Sequence, residues 1–256
     1  MNLCKERAMQ LQQLVSVLDQ QLEPWRFKDY APNGLQVEGR GEVRRIITGV
    51  TASQALLDEA VRRQADAVLV HHGYFWKSEP AALTGIKRRR IATLLQNDIS
   101  LLAYHLPLDA HPLLGNNAQL GQLLGMVDAQ PCADEPLLWQ GELAVALSAQ
   151  ALAATMAQRL GRQPLLLGPA QREIRRLAWC TGGAQGYFEQ AIALGVDAFI
   201  TGEASEQNHH LAEEYGVTFF AAGHHATERY GVKALGEWLA STHGLEVDFV
   251  DLFNPV

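Results

Sequence analysis

His71-His72, His105 with Asp109, and His224-His225 with Glu228 are the residues whose types and spacing point to chemistry. Imidazole and carboxylate are the usual ligands of zinc, iron and manganese. His71-His72 closes the apolar run Ala65-Asp66-Ala67-Val68-Leu69-Val70. His105-Leu106-Pro107-Leu108-Asp109 follows Ile99-Ser100-Leu101-Leu102-Ala103-Tyr104, and His224-His225-Ala226-Thr227-Glu228 follows Val217-Thr218-Phe219-Phe220-Ala221-Ala222-Gly223. Separated donor groups, each placed after a strand-like run, predict a metal site assembled across the fold and holding more than one ion.

The local geometry of each group sharpens that expectation. Neighbouring residues of a strand point to opposite faces, so two adjacent histidine ligands work best at a strand end, where Gly73 permits a turn. Each histidine could then serve a different ion. Strand ends facing a crevice are also where open α/β sheets place ligands. Asp109 lies in a loop stiffened by Pro107 and reads as a ligand, or more plainly as a helix cap or turn residue. His105 reads as a proton shuttle or an outer donor, and His111 beside Pro112 as a loop residue. His224 and Glu228, four apart, would share one helix face and grip one ion, with the two Glu228 oxygens able to bridge two. The plainer reading of Glu228 is stabilisation of a helix N-terminus. His225 would point elsewhere, toward substrate or the outer shell. The order of residues is not HExxH, so no metalloprotease is predicted.

The elements that must position these residues form a repeat. Arg45-Ile46-Ile47 through Asp66-Ala67-Val68-Leu69-Val70 lies on Arg176-Leu177-Ala178 through Asp197-Ala198-Phe199-Ile200-Thr201, both reading as strand, turn, amphipathic helix, strand. The match continues more loosely: Ile99–Leu102 resembles Val217–Phe220, and, one inserted residue later, His105 and Asp109 meet His224 and Glu228. Gly202-Glu203 takes the place of His71-His72, so the two ligand sets are related and not identical. Helices are predicted over Leu11–Leu22 (ended by Pro24), Ile86–Asn97, Asn116–Leu124, Ala149–Leu160 and Thr227–Ser241. The basic run Lys87-Arg88-Arg89-Arg90 reads as a solvated face, Asp29–Leu35 as a turn-rich loop, and Pro131–Pro136 as a boundary loop. Thr181–Gly186 reads as a tight turn and Cys180 as a buried small hydrophobe. His209-His210 falls on an exposed helix, with Glu203 ahead of it as a reserve active-site acid. The expected fold is α/β, two related lobes with the metal site between them: residues 1–128 carrying His71, His72 and Asp109, and residues 129–256 carrying His224 and Glu228. The alternating C-terminal segment Leu245–Leu252 could return to the first lobe.

Composition narrows the function classes. The chain has 256 residues, 48% of them hydrophobic, enough for a sizeable core. A net charge of −7 argues against stable nucleic-acid binding, which rests on phosphate neutralisation, and leaves a nucleotide open as a small substrate. Cys4, Cys132 and Cys180 form no CxxC and fit a reducing compartment. The first residues lack a signal-peptide apolar region, and no apolar run approaches the roughly 20 residues that cross a bilayer. A cytoplasmic protein is expected.

Five blocks carry a family resemblance along nearly the whole chain: Tyr30-Ala31-Pro32-Asn33-Gly34-Leu35-Gln36-Val37, Val70-His71-His72-Gly73, His105-Leu106-Pro107-Leu108-Asp109, Val196–Glu203 and Gly223-His224-His225-Ala226-Thr227-Glu228. In this combination the chain resembles the YbgI-type dinuclear metal-centre proteins, labelled GTP cyclohydrolase I type 2, in the form lacking a large inserted domain. The resemblance implies a pair of metal ions between two α/β lobes, with His71, His72, Asp109, His224 and Glu228 as ligands. It also implies a ring-shaped homohexamer. Ala31-Pro32 departs from the more acidic or aromatic lead-in of many relatives, which bears on substrate contacts and not on the metal ligands.

The expected function is therefore a dinuclear metal-dependent hydrolase using two divalent ions (iron, zinc or manganese). His105 and His225 are the candidates for proton transfer or substrate orientation. The label adds a purine-type or other nucleotide C–N bond as a target. A non-catalytic metal-binding or regulatory scaffold and a di-iron redox protein stand as alternatives.

Overall fold

The computed structural model describes residues 8–256; Cys4 and the N-terminal segment read for a leader lie outside the described residues. In chain order the elements are β1 (Met9–Gln10), α1 (Leu11–Leu22), β2 (Gly34–Val37), β3 (Glu42–Val43), β4 (Arg45–Thr51), α2 (Gln54–Arg62), β5 (Ala67–His72), α3 (Gly85–Gln96), β6 (Ser100–Ala103), α4 (Leu106–Ala110) and α5 (Asn116–Leu124). There follow β7 (Met126–Cys132), β8 (Glu135–Ser148), α6 (Ala149–Leu160), β9 (Leu165–Leu167), β10 (Glu173–Trp179), α7 (Phe188–Ala193), β11 (Ala198–Thr201), α8 (Glu206–Tyr215), β12 (Thr218–Ala221), α9 (His224–His243) and β13 (Glu246–Phe249). No helix among the described residues is long and apolar enough to cross a membrane.

The chain is α/β and forms two compact units. The first comprises the part up to Leu108 together with Val232–Phe253; the second comprises Asp109–Gly231 with Asn254–Val256. The sequence reading drew its boundary at 128/129; in the structure Asp109 groups with residues 110–231.

The first unit is built on a five-stranded sheet in the order β13-β4-β5-β6-β2. β13, β4, β5 and β6 run parallel, and β2 closes one edge antiparallel to β6. Parallel strands covered on both faces must be apolar throughout, which is why Val68-Leu69-Val70 and Leu101-Leu102 show no alternation and are buried. Val68, Val70 and Leu101 cluster with Leu56, Leu57 and Ala60 of α2 and Ile91 and Leu94 of α3. Burying side chains of this size stabilises by about 1.5–3 kcal/mol each.

The second unit has a six-stranded sheet in the order β7-β8-β10-β11-β12-β9. Its centre, β10-β11-β12, is parallel, and β8 and β9 flank it antiparallel. One face buries Leu152, Met156 and Leu160 of α6 beside Ile200 and Phe220. The other holds Phe188, Phe199 and Phe219, whose ring centroids lie 4.9–5.9 Å apart.

The repeat read from the sequence recurs in the backbone. Ile46 pairs with Ala67 and Ile47 with Val68; at the matching positions Leu177 pairs with Ala198 and Ala178 with Phe199. One aspartate locks each copy. Asp66 Oδ2 accepts from the Arg44 and Arg45 backbone N–H groups, and Asp197 Oδ2 from those of Arg175 and Arg176.

Three local expectations change. Pro131–Pro136 is not a loop: Pro131 lies in β7, and β7 and β8 form an antiparallel pair. β7 is an edge strand, where a residue with no N–H to donate is tolerated. Asp109 is not in a loop but in the short helix α4, since Pro107 fits a first helical turn, where its missing N–H costs nothing. The last long helix starts at His224 and not at Thr227, so His224 and His225 are helical.

Candidate metal centre

In the first unit three imidazoles converge. β5 carries Val70 in the buried sheet and ends on His71 and His72, while β6 ends at Ala103 and the chain turns through Tyr104 to His105. His71, His72 and His105 each offer a ring nitrogen, and these lie within 4.8 Å of one another. His71 is fully buried, with Nδ1 3.0 Å from the Tyr104 carbonyl oxygen. A carbonyl only accepts, so Nδ1 carries the proton and Nε2 keeps its lone pair. His72 Nδ1 lies 3.3 Å from Thr51 Oγ1.

His105 is held by a residue that its sequence context concealed. Asp29, whose side chain is only 3% exposed, lies with Oδ1 2.7 Å from His105 Nδ1. The same carboxylate accepts from the N–H groups of Tyr30 and Leu106 and from Asn33 Nδ2, while Asn33 Oδ1 accepts from the His105 backbone N–H. Burial works to raise the Asp29 pKa; the bonds from His105, Asn33 and Tyr30 outweigh it and bring the pKa down to about 2. The Trp76 ring meets the His105 ring edge-on at 4.9 Å, and the Tyr30 ring does so at 6.4 Å.

In the second unit the donors are mainly carboxylates. His224 and Glu228 occupy one face of α9, with His224 Nε2 3.1 Å from Glu228 Oε2. The other ring nitrogen, Nδ1, lies 2.6 Å from Glu203 Oε1. Burial would lower the His224 pKa; Glu228 and Glu203 overcome it and raise the value from 6.5 to about 9. Glu228 is 3% exposed and Asp109 6%. Buried carboxylates are costly unless bonded or bound to a cation. Asp109 Oδ1 accepts from Asn116 Nδ2 at 2.8 Å and from Thr181 Oγ1 at 3.3 Å.

The turn after β10 supports both carboxylates. Thr181 reaches Asp109, and a Cβ on Gly182 would lie 2.0 Å from Glu228 Oε1. Gly182, at φ +69°, therefore lets the backbone approach the glutamate. The glycine loop read as a tight turn is one, and it is shaped around an acidic side chain. Cys180 beside it is buried; burial and the carboxylates of Asp109 and Glu228 push its thiol pKa well up, as befits a packing residue and not a nucleophile.

The structure thus groups His71 and His72 with His105, and His224 with Glu228; Asp109 flanks the same Cys180–Gly182 turn as Glu228. His225 is the next residue along α9, and its backbone N–H donates to the Val256 carbonyl. His209 and His210 are exposed on α8. Glu203 partners His224, a more direct role than that of a reserve acid. Besides Asp29, sequence reasoning missed Asn116 and Asn117, both fully buried. Asn116 Oδ1 accepts from the Gly231 N–H, and Asn117 bridges the Asp109 and Leu137 carbonyls to the Thr181 N–H. The doubled asparagine at a helix start was the available signal.

Comparison with known proteins fits this arrangement. The pattern of the Duf34/NIF3 (NGG1p interacting factor 3) family matches residues 9–255. A Yersinia pestis protein named GTP cyclohydrolase 1 type 2 homolog is 60% identical over 95% of this chain and 98% of its own length. A Pseudomonas aeruginosa protein of the same name is 56% identical over 97% of this chain and 99% of its own. Among solved structures, protein ybgI, described as of unknown function, superposes with a TM-score of 0.93 at 54% identity, covering 97% of this chain and all of that one. With residues 9–255 matched and relatives this similar over their full lengths, the chain belongs to the Duf34/NIF3 family, whose curated relatives here are named GTP cyclohydrolase 1 type 2 homologs.

Proposed function

We propose that this protein is a dinuclear metal-dependent hydrolase that uses two divalent ions. His71, His72, Asp109, His224 and Glu228 are the ligands. One observation carries the reading: His71 and His105 each set Nδ1 against an oxygen acceptor, and so keep Nε2 as the electron-pair donor. That is how metal-binding histidines are fixed in tautomer and orientation, and structural histidines have no need to share it. The buried Asp109 and Glu228 supply the negative charge that two dications require.

When bound, the ions would supply a water acidified toward neutrality and polarise the bond under attack. The protein's own part is orientation. His105 receives or delivers a proton at Nε2, Trp76 and Tyr30 confine its ring, and His225 is a candidate contact for substrate. The name of the relatives makes a nucleotide or purine-type C–N bond the first substrate class to test. A ring-shaped homohexamer in the cytoplasm completes the proposal.

The test begins with metal content per chain in protein purified without added metal, followed by turnover of a nucleotide and general hydrolase panel by metal-replete protein. Metal-dependent turnover supports the proposal. Bound metal without turnover favours a non-catalytic metal-binding scaffold, and oxygen-reactive iron favours a redox protein. No bound metal and no uptake on titration removes the basis of the reading.

A further inference from the structure

Asp29 makes more bonds than a loop aspartate needs. Its two oxygens accept from two backbone N–H groups, an asparagine amide and a histidine ring, and its side chain is 3% exposed. The surrounding loop is tied down as well: Lys77 Nζ donates to the Asp29 carbonyl, and the Lys77 N–H donates to the Tyr30 carbonyl at 2.8 Å. All of these bonds converge on one ring. His105 is gripped at its backbone by Asn33, at Nδ1 by Asp29, and along its edges by Trp76 and Tyr30.

An ionised carboxylate has no proton to give, so His105 Nδ1 must be the donor, and the imidazole is confined to one tautomer. The lone pair then lies on Nε2. In the second unit Glu203 meets His224 Nδ1 in the same way, but with a side chain 38% exposed and with Glu228 against the other ring nitrogen, so that ring is not held in one neutral tautomer. Asp29 is thus the more rigid of two carboxylate–imidazole pairs.

We propose that Asp29 is a positioning residue that locks His105 in the Nδ1–H tautomer, keeping Nε2 as a hydrogen-bond acceptor beside the His71–His72 pair. His105 is the group that meets substrate or its attacking water; Asp29 acts only through it. The part that concerns substrate rests on the hydrolase reading. The tautomer does not, and can be measured in protein with or without metal.

The experiment is long-range proton–nitrogen correlation spectroscopy on histidine-labelled full-length protein, with the His105 signals assigned by their loss in His105→Gln. The expected wild-type spectrum has a pyrrole-type Nδ1 and a pyridine-type Nε2. A wild-type Nε2–H tautomer, or averaging between the two, overturns the proposal before any Asp29 variant is made. In Asp29→Asn the fixed pattern should be lost or reversed, and in Asp29→Glu it should return, with bound zinc per chain unchanged in both. An unaltered His105 spectrum in Asp29→Asn overturns the positioning role. Zinc loss matching that of His72→Ala overturns it too, because Asp29 would then be holding the metal site and not one ring. Absence of zinc from every protein, wild type included, would count against the hydrolase reading and leave the tautomer result standing.

Discussion

The two units share one backbone plan and differ where the chemistry lies. β4–β5 and β10–β11 pair in matching register, and Asp66 and Asp197 close them with matching bonds. At the strand ends the likeness stops. β5 closes on His71-His72, where β11 has already given way to Gly202-Glu203. Sterics explain the glycine: a Cβ on Gly202 would lie 2.6 Å from His224 Cα and 2.7 Å from the Gly182 carbonyl oxygen. Because α9 begins at the strand exit, the second unit has no room for a side chain where the first carries a histidine. It draws its donors from the helix, and they are largely acidic. The frame is constrained by folding, and the strand exits are where the copies diverge into an imidazole-rich and a carboxylate-rich half.

If His72 and Glu228 are both ligands, as the proposed function has it, removing either should be equally damaging. Glu228→Ala and His72→Ala should each abolish most of the metal bound by wild type, by elemental analysis of purified protein, while thermal melting stays cooperative. Loss in one variant with full retention in the other would show that only one half binds metal.

The next effect tests the steric account of the divergence. Gly202→Ala forces a methyl against backbone atoms that cannot rotate away, and overpacking of this kind costs about 1–3 kcal/mol. Urea unfolding should report that loss. An unchanged midpoint would mean that α9 yields easily and that the missing histidine needs another cause.

Much of this was legible in the residues. Parallel strands buried on both faces show as the runs Val68-Leu69-Val70 and Phe219-Phe220, and the repeat shows because each copy needs its Asp before the second strand. The ligand-type residues show because imidazoles in pairs after such runs have few other uses. Asp29 did not show, since an aspartate in a turn-rich loop looks like any turn residue until the fold brings it, 76 positions away, against His105. Asn116 and Asn117 showed only as a doubled asparagine at a helix start; their partners, Gly231 and Thr181, are distant in sequence and are encoded by no local pattern. The start of α9 was missed because Gly223 and the histidines carry no apolar periodicity.

Equivalence of the frame predicts equal losses from Asp66→Ala and Asp197→Ala. Each removes an acceptor shared by two backbone N–H groups and an arginine, Arg40 in one copy and Arg172 in the other. Leaving such groups unmet costs about 1–3 kcal/mol. Two unfolding midpoints lowered by similar amounts would support a common structural role. A large effect in only one would mark that copy as the one bearing the load.

The smallest effects separate the two carboxylate–imidazole pairs by pH. The Asp29 pKa is lowered from 3.8 to about 2, so its contribution to metal-free stability is complete above 3.8 and disappears as pH falls through 2. The His224 pKa is raised from 6.5 to about 9, so its contribution is complete below 6.5 and disappears as pH rises through 9. The Asp29–His105 pair should therefore weaken on the acid side and the His224 cluster on the alkaline side. Urea midpoints of metal-free protein across this range should show both shoulders. Asp29→Asn should reduce only the acid one, to which Glu59 and Asp197, whose pKa values are also lowered, contribute as well. Glu203→Gln should move the alkaline one to lower pH without erasing it, because Glu228 still holds the His224 proton. Its half-exposed position keeps that shift modest, since solvent screens the charge. If Glu203→Gln altered the acid shoulder instead, the assignment of one pair to each limb of the profile would be wrong.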